Sequence, residues 1–267
     1  MTTISIITAV RNGSATIGGA LASLTEQSIP CEHLVIDGAS TDATVDIVRR
    51  LSPSSRIFTE PDHGIYDAMN KGIRLASGDI IGILNADDYY PSADVLAQVI
   101  AVFKDPTVMS CYGDLEYVKK AGSGLWAPGK DEIQNSNLRN KNYKVVRYWQ
   151  SGSFTPEKFK WGWMPPHPTF FVRRSVYERY GDFRLDMGSA ADYELMLRLL
   201  LKERITTAYI PETMVRMRVG GASNASLQNR LKANRMDRLA WTVNGLRPYP
   251  WTLLCKPLRK LGQYFFR

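Results

Sequence analysis

The chain has 267 residues, 44% of them hydrophobic and 22% charged, with a formal net charge of +8. That composition excludes a disordered chain and admits one large domain, or one domain with an appended subdomain. The positive excess favours anionic partners such as nucleotides, phospholipid surfaces or nucleic acid.

The excess is uneven: beyond Glu212 the only acidic residue is Asp237. Cys31, Cys111 and Cys255 lie far apart, in no metal-binding spacing, and offer no disulfide framework; a reducing compartment fits. The N-terminus enters a strand-like segment directly, without the pattern of a signal peptide, and no window of about 18 apolar residues predicts a spanning helix.

In chain order, Ile4, Ile6 and Ile7 predict a first strand ending in Thr8-Ala9-Val10-Arg11-Asn12-Gly13, and Ser14 is a good N-cap for a helix to about residue 27. Residues 33–37 predict a second strand, ending in Asp37-Gly38-Ala39-Ser40-Thr41-Asp42, followed by a helix over about 43–51. A short strand at 56–58, a loop at 60–64 and a helix at 65–76 come next, then a strand at 80–84 and a helix at 94–103. Short strands alternating with helices predict a parallel α/β sheet. Its polar strand ends, residues 8–13, 37–42 and 85–88, should converge on one edge, where open α/β sheets bind ligands.

The sharpest of these ends is IIGILNADDYY, residues 80–90. An apolar run reads as a buried strand and stops at Asn85, Ala86, Asp87 and Asp88. Carboxylates are costly in a core unless paired or bound to a cation, so the pair has two readings. One is a set of oxygen ligands for Mg²⁺ or Mn²⁺ shared with substrate phosphates. The other is a solvated turn in which Asp88 caps the next helix. The glycine loops of the dinucleotide-binding and P-loop folds are absent after the first strand, which reads TAVRNGSATIGG.

From Met109 the character changes. Residues 109–113 and 116–119 predict two strands around Asp114; residues 121–142, with Trp126, form a long polar stretch; residues 143–163 are unusually aromatic, as a subdomain core or as a wall for a sugar's apolar face. His167 stands in a stiff Pro-Pro-His-Pro turn before a strand at 169–173, as a structural hydrogen-bonding residue or a ligand contact. A short helix is expected at 175–180. Asp192 opens an apolar-periodic helix, either complementing the helix dipole or acting as a general base at the pocket. Strands at 206–210 and 214–219 and a helix near 227–243 follow. Residues 245–267 carry five cations and no acid beside Trp251, Leu253, Leu254, Leu258, Leu261, Tyr264, Phe265 and Phe266. That mixture reads as an interfacial membrane segment, or as an apolar face packed on the domain.

Taken together, ISIITAVRNG, VIDGASTDAT, GIYDAMNKGIRLASGD, ILNADD, HPTFFVRRSVYERYGDF and ADYELMLRLL resemble the family 2 glycosyltransferases, inverting enzymes with a GT-A fold, in the family's order over about residues 4–201. EPDHGIYDAMNKG followed by LNADD is most like bacterial polysaccharide and O-antigen transferases. The resemblance implies an α/β GT-A fold with a mostly parallel central sheet flanked by helices. It divides the chain into a domain over residues 1–220, with a donor half to about 113 and an acceptor half to about 220, and a C-terminal helix and basic tail over 221–267. It places Thr8, Arg11 and Asp37 at the nucleobase and ribose. Asn85-Ala86-Asp87 stands where the family has D-x-D, beside Asp88, with Asp87 touching the divalent ion at the donor diphosphate. His167 lies near the diphosphate or acceptor and is a second candidate metal contact; Asp192 is the catalytic base.

Three departures matter. Asn85 replaces the first aspartate of D-x-D. The common Ala-Arg-Asn of the third helix is Ala68-Met69-Asn70, with Lys71 as a substitute cation. No Q-x-x-R-W of processive synthases follows Asp192. The implied activity is transfer of one sugar from a nucleotide-diphosphate sugar to a saccharide or lipid-linked saccharide, with Mg²⁺ or Mn²⁺. The implied location is the cytoplasm, peripheral on the inner membrane through the tail. A sugar nucleotidyltransferase is the alternative enzyme, and a basic nucleic-acid-binding protein the non-enzymatic one; no nucleic-acid motif supports the latter.

Overall fold

The computed structural model describes residues 2–120, 143–219 and 227–263, with backbone only at 120, 227–233 and 261–262. The expected polar stretch at 121–142 and the last aromatic residues of the tail, Tyr264, Phe265 and Phe266, lie outside the described residues.

The sheet is seeded by β1 (Ile4–Val10), all seven residues of which are buried. It pairs in parallel with β2 (Glu32–Asp37) on one side and β4 (Ile80–Ile83) on the other, and β3 (Arg56–Thr59) extends β2, also in parallel. Both faces of β1 are covered. Ile7 packs with Leu34, Ile36, Met69 and Ile81, whereas Ile4 and Ile6 join the core with Leu96 and Phe171. This is why the strand reads as a continuous apolar run and not as an alternation. Helices α1 (Ile17–Thr25) and α2 (Thr44–Leu51) pack together, and α3 (Ile65–Leu75) packs on β1 and β2.

The second half is mixed. After β5 (Asp88–Tyr89) and α4 (Val95–Val102) come β6 (Ser110–Lys120), β7 (Tyr143–Trp149) and the short α5 (Pro156–Lys160). Then follow β8 (Phe171–Arg173), α6 (Arg174–Tyr180), α7 (Ala191–Met196, continued as a π-helix over Leu197–Lys202) and β9 (Thr207–Arg218). The described strands form one sheet, ordered β3-β2-β1-β4-β8-β6-β9-β5, with β7 on β6. The halves join where β8 runs antiparallel to β4. Gly82 makes that junction possible, since a Cβ there would fall 2.4 Å from the Phe171 ring. Two helices complete the chain, α8 (Leu227–Val243) and α9 (Thr252–Gly262).

Local readings needed revision. Ser14 does not cap α1, which starts at Ile17 with no side-chain cap; the Ser14 amide instead donates to Asp42. The two strands expected around Asp114 are one, because a register shift lets β6 run through the residue. Buried Asp114 accepts bonds from Tyr148, the Ser151 amide and Tyr209. Residues 207–218 are likewise one strand despite Pro211. The solvated-turn reading of Asp88 fails, since Asp88 is fully buried in β5 and paired with Met217 of β9. Part of the tail is a helix that spans Pro257.

Between β1 and β2 lies a buried polar chain. His33 Nε2 is 3.0 Å from Thr8 Oγ1, its Nδ1 is 2.7 Å from Ser55 Oγ, and Ser55 donates to Ser52 at 2.7 Å. Burial pushes the imidazole down to about 4 from 6.5. The unfolded chain therefore takes a proton that the fold refuses. The stability His33 contributes is present above pH 6.5 and lost as pH falls through that value toward 4, by about 3 kcal/mol. Urea denaturation at pH 7 and pH 4.5 should show this loss, and His33→Gln should shrink the difference between the two.

Candidate active site

The parallel strands deliver their polar ends to one edge of the sheet, and those ends are bonded to one another. The Asn12 amide donates to Ser40 Oγ at 2.8 Å, and Asn12 Oδ1 accepts from the Thr41 amide at 2.8 Å. The Gly13 amide donates to Thr44 Oγ1 at 2.9 Å, and the Ser14 amide to Asp42 at 3.1 Å. Against its desolvation, the bonds from Thr44 and Ser14 hold the Asp42 carboxyl down at about 2. Asn12 and Ala39 take left-handed φ values of 53° and 56°, which these bonds sustain. The result is a stiff double loop at the end of β1 and β2.

The sequence-derived residues fall into two groups. Asp37 is fully buried at the last position of β2, where it accepts from the Ser40 amide at 3.1 Å. Arg11 is exposed beside Gly38 and makes no ion pair among the described residues. Asn85, Asp87 and Asp88 follow β4 at the same edge, and Ala86 packs with Val10 and Ile17 beneath the first loop. The other two turn elsewhere. Thr8 gives its hydroxyl to His33. Lys71 pairs with Glu60 at 2.9 Å and donates to the Pro61 carbonyl at 2.8 Å, strapping the loop before α3.

The 85–88 turn is unusual in its polarity. Asn85 Nδ2 donates to Asp88 Oδ2 at 2.8 Å, while Asn85 Oδ1 and Asp88 Oδ1 are both buried with no hydrogen-bond partner among the described residues. Burial, and then the neighbouring Asp87, push the Asp88 carboxyl well above the usual carboxylate range. Arg218, at the end of β9, lies within electrostatic reach of both aspartates. It crosses α1 at Gly19, where a Cβ would stand 2.1 Å from the guanidinium, and donates to the Thr16 carbonyl at 3.1 Å. Two orphaned buried oxygens beside the open carboxylate of Asp87 are a donor set that suits a hard divalent cation. No group of three His, Cys, Asp or Glu side chains gathers among the described residues. An ion here would therefore complete its shell with substrate oxygens and water, as Mg²⁺ commonly does.

Asp192 occupies the first turn of α7 and is partly exposed, with Oδ1 accepting from the Tyr193 amide at 2.8 Å. Tyr66 of α3 lies within electrostatic reach of Asp192; burial, and then that carboxylate, push the phenol far above its usual range. His167 is the other neighbour. Burial holds its imidazole down, opposed by the charge of Asp192, and it is with Asp192 that the structure groups it. Tyr66 and His167 both pack against the Phe183 ring, at 5.3 Å each. Asn70 clasps the Phe183 backbone from α3, its Nδ2 donating to the carbonyl at 2.8 Å and its Oδ1 accepting from the amide at 2.9 Å. Behind Asp192, Glu194 pairs with Arg198 at 3.1 Å and accepts from Asn244, and Trp241 Nε1 donates to the Tyr193 hydroxyl at 2.9 Å.

Sequence reasoning missed Tyr66, Phe183 and Arg218 as members of the site, and read Asn70 only as part of a departing motif. A signal for Asn70 existed: an amide on the apolar stripe Ala68-Met69-Ile73 needs a buried partner. Nothing local marked Arg218, whose partners lie about 75 to 200 residues away. Asn70→Ala would leave the Phe183 amide and carbonyl buried and unpaired, at a cost of about 2–4 kcal/mol. Urea denaturation should show that loss.

The family model for glycosyl transferase family 2 matches residues 5–181. An uncharacterized glycosyltransferase of Mycobacterium tuberculosis is 33% identical over 172 residues, 64% of this chain, which spans 57% of that relative's length. A PGL/p-HBAD biosynthesis glycosyltransferase of Mycobacterium bovis is 28% identical over 228 residues, 82% of this chain and 78% of the relative. Among solved structures, S. aureus TarS 1-349 in complex with UDP-GlcNAc matches at a TM-score of 0.64 and 16% identity, covering 90% of this chain and 66% of that one. The mannosyltransferase PcManGT from Pyrobaculum calidifontis, in complex with GDP-Man and Mn²⁺, matches at 0.58 and 20% identity, covering 96% and 73%. Those two likenesses show the fold. With the family model matched over most of the chain, this protein belongs to glycosyl transferase family 2 and carries its GT-A fold.

Proposed function

We propose that the chain is an inverting, metal-assisted, non-processive glycosyltransferase. It moves one sugar from a nucleotide-diphosphate sugar to a saccharide carried on a polyprenyl diphosphate, in cell-surface polysaccharide synthesis. The observation that carries this reading is Asp192, a partly exposed carboxylate that accepts from the Tyr193 amide, with Tyr66 and His167 within reach of its charge.

In this reading the acceptor hydroxyl gives its proton to Asp192 as its oxygen attacks the anomeric carbon. The bond from that carbon to the diphosphate oxygen breaks, and the nucleoside diphosphate leaves with the electron pair. Asp37 and the stiff loops over residues 11–13 and 38–42 hold the nucleoside, and the exposed Arg11 faces the anionic donor. Asn85, Asp87 and Asp88 would hold a Mg²⁺ or Mn²⁺ ion, which supplies positive charge where the leaving group gains negative charge. Tyr66 and His167 fix Asp192; a neutral imidazole leaves that carboxylate without a competing ion pair. Residues 1–220 are the transferase domain, with donor and acceptor halves meeting near residue 113.

No helix among the described residues is long and apolar enough to cross a membrane. A peripheral position on the cytoplasmic face of the inner membrane is supported by α9, which exposes Leu254 and Leu258, and by exposed Trp251 and Trp161 nearby. Exposed apolar side chains flanked by cations suit a lipid surface.

The test has two parts. A thermal-shift screen of nucleoside diphosphates with Mn²⁺ should find one base that stabilises the protein by mass action, with the shift lost in Asp87→Ala. Asp192→Asn should then bind the same nucleotide but lower turnover at least about 100-fold. Retained turnover would remove Asp192 from its role, and pyrophosphate release would replace the transferase reading with a nucleotidyltransferase.

A further inference from the structure

One large cleft lies outside the strand-end loops. It has a volume of about 430 Å³ and is bounded by the end of β7, the turn at residues 162–164 and one face of α9. Tyr148, Trp149 and Trp163 form its aromatic wall, and Lys256, Arg259 and Lys260 form the opposite side. No carboxylate lines it among the described residues.

The cleft is built, not left over between loose segments. Gly162, with φ of 74°, lets the α9 backbone lie directly on the turn, where a Cβ would stand 2.4 Å from the Lys256 amide nitrogen. Thr252 Oγ1 donates to the Lys160 carbonyl at 2.6 Å and pins the start of α9. Gln263 pins its end to β7, accepting at its carbonyl from the Tyr148 amide at 3.0 Å and at Oε1 from Arg147 at 2.6 Å.

Its charges are only partly matched. Lys256 pairs with Asp237 at 2.8 Å, but Arg259 and Lys260 have no ion pair among the described residues. Desolvation, and then the nearby Lys256 and Arg147 cations, push the Lys260 ammonium below the usual lysine range, against the pull of Asp237 and Asp192. The cluster is also joined to the reacting end of the molecule. Lys256 Nζ stands 3.6 Å from the centroid of Tyr193, the residue after Asp192.

We propose that this cleft is the site for the phosphate groups of a lipid-linked acceptor, with Arg259 and Lys260 as the phosphate contacts and the aromatic wall facing the first sugar. The inference rests on the glycosyltransferase reading and names the chemistry of its acceptor. A multivalent anion answers three clustered cations, and aromatic faces suit the apolar side of a sugar ring. The exposed Leu254 and Leu258, on the same helix, give the lipid chain its way out. Lipid, phosphate, sugar and base thus follow one another from α9 to Asp192.

Geranyl diphosphate is the probe, titrated into the full chain by tryptophan fluorescence with the strand-end site saturated by nucleoside diphosphate and Mn²⁺. Quenching that saturates, with Kd raised at least tenfold in Arg259→Ser/Lys260→Ser and restored in Arg259→Lys/Lys260→Arg, is the expected result. Equal binding by the wild-type and double-serine proteins would overturn the proposal. So would loss of pelleting with anionic phosphatidylglycerol vesicles without loss of geranyl diphosphate binding, since the cations would then serve the membrane surface. The glycosyltransferase reading fails separately, when no nucleoside diphosphate shifts the melting temperature although geranyl diphosphate still binds.

Discussion

Two hydrogen bonds from one side chain hold the two halves of this molecule in register. Asn70 sits on α3, which is packed on the parallel strands, and grips the backbone of Phe183, 113 residues further on. Phe183 in turn supports the rings of Tyr66 and His167, the two side chains next to Asp192. The Asn70 amide therefore adds a buried link between the strand-end half and the Asp192 cluster, beside the β4–β8 pairing and the Arg74–Asp182 ion pair at 2.7 Å. Such a contact is strong because neither backbone group has water as an alternative. An aliphatic residue of the same size on α3 would satisfy the core and lose this coupling.

A second constraint is the burial of charge at the end of β4. A parallel strand covered on both faces can release polar groups only at its ends. Here the chain turns back at once into β5, so that Asp88 is enclosed and not delivered to solvent. The enclosure is compensated only in part, by the Asn85 amide and by the nearby Arg218 charge and backbone amide. Two oxygen atoms are left without hydrogen-bond partners among the described residues. Buried polar atoms without partners cost stability, and they persist where something other than the fold has use for them. Asn85 in place of a carboxylate lowers the negative charge of the turn, which makes the enclosure tolerable beside Asp87.

The parallel half was legible because its signals are local. Apolar runs such as ISII and IIGIL, separated by helices of about ten residues and ended by polar clusters, leave few arrangements open. Asp192 was legible as the acid that opens an apolar helix. What escaped were contacts made by residues distant in sequence. Thr8 shares its strand end with Arg11, but the alternation of side chains along β1 turns its hydroxyl toward His33 and the space between strands. Lys71 on α3 has two nearer acids, Glu60 and Asp67. Strand β6 could not be recognised as continuous through Asp114, because that carboxylate is satisfied only by Tyr148, Ser151 and Tyr209.

For the C-terminal segment, composition alone gave two readings. A mixture of cations, leucines and aromatic residues fits either a lipid surface or a packed face. Helix geometry separates them. Lys256, Arg259 and Lys260 border the cleft, while Leu254 and Leu258, four residues apart, are exposed. One short helix then presents an apolar surface and a cationic one at the same time, and its contact with Gly162 fixes where they stand relative to Tyr193 and Asp192. In the proposed reading, a substrate with a greasy end, an anionic middle and a sugar head would meet these surfaces in that order. A substrate lacking the anionic middle would leave Arg259 and Lys260 without a counter-charge beyond the distant pull of Asp237 and Asp192, and their mutual repulsion would go unrelieved.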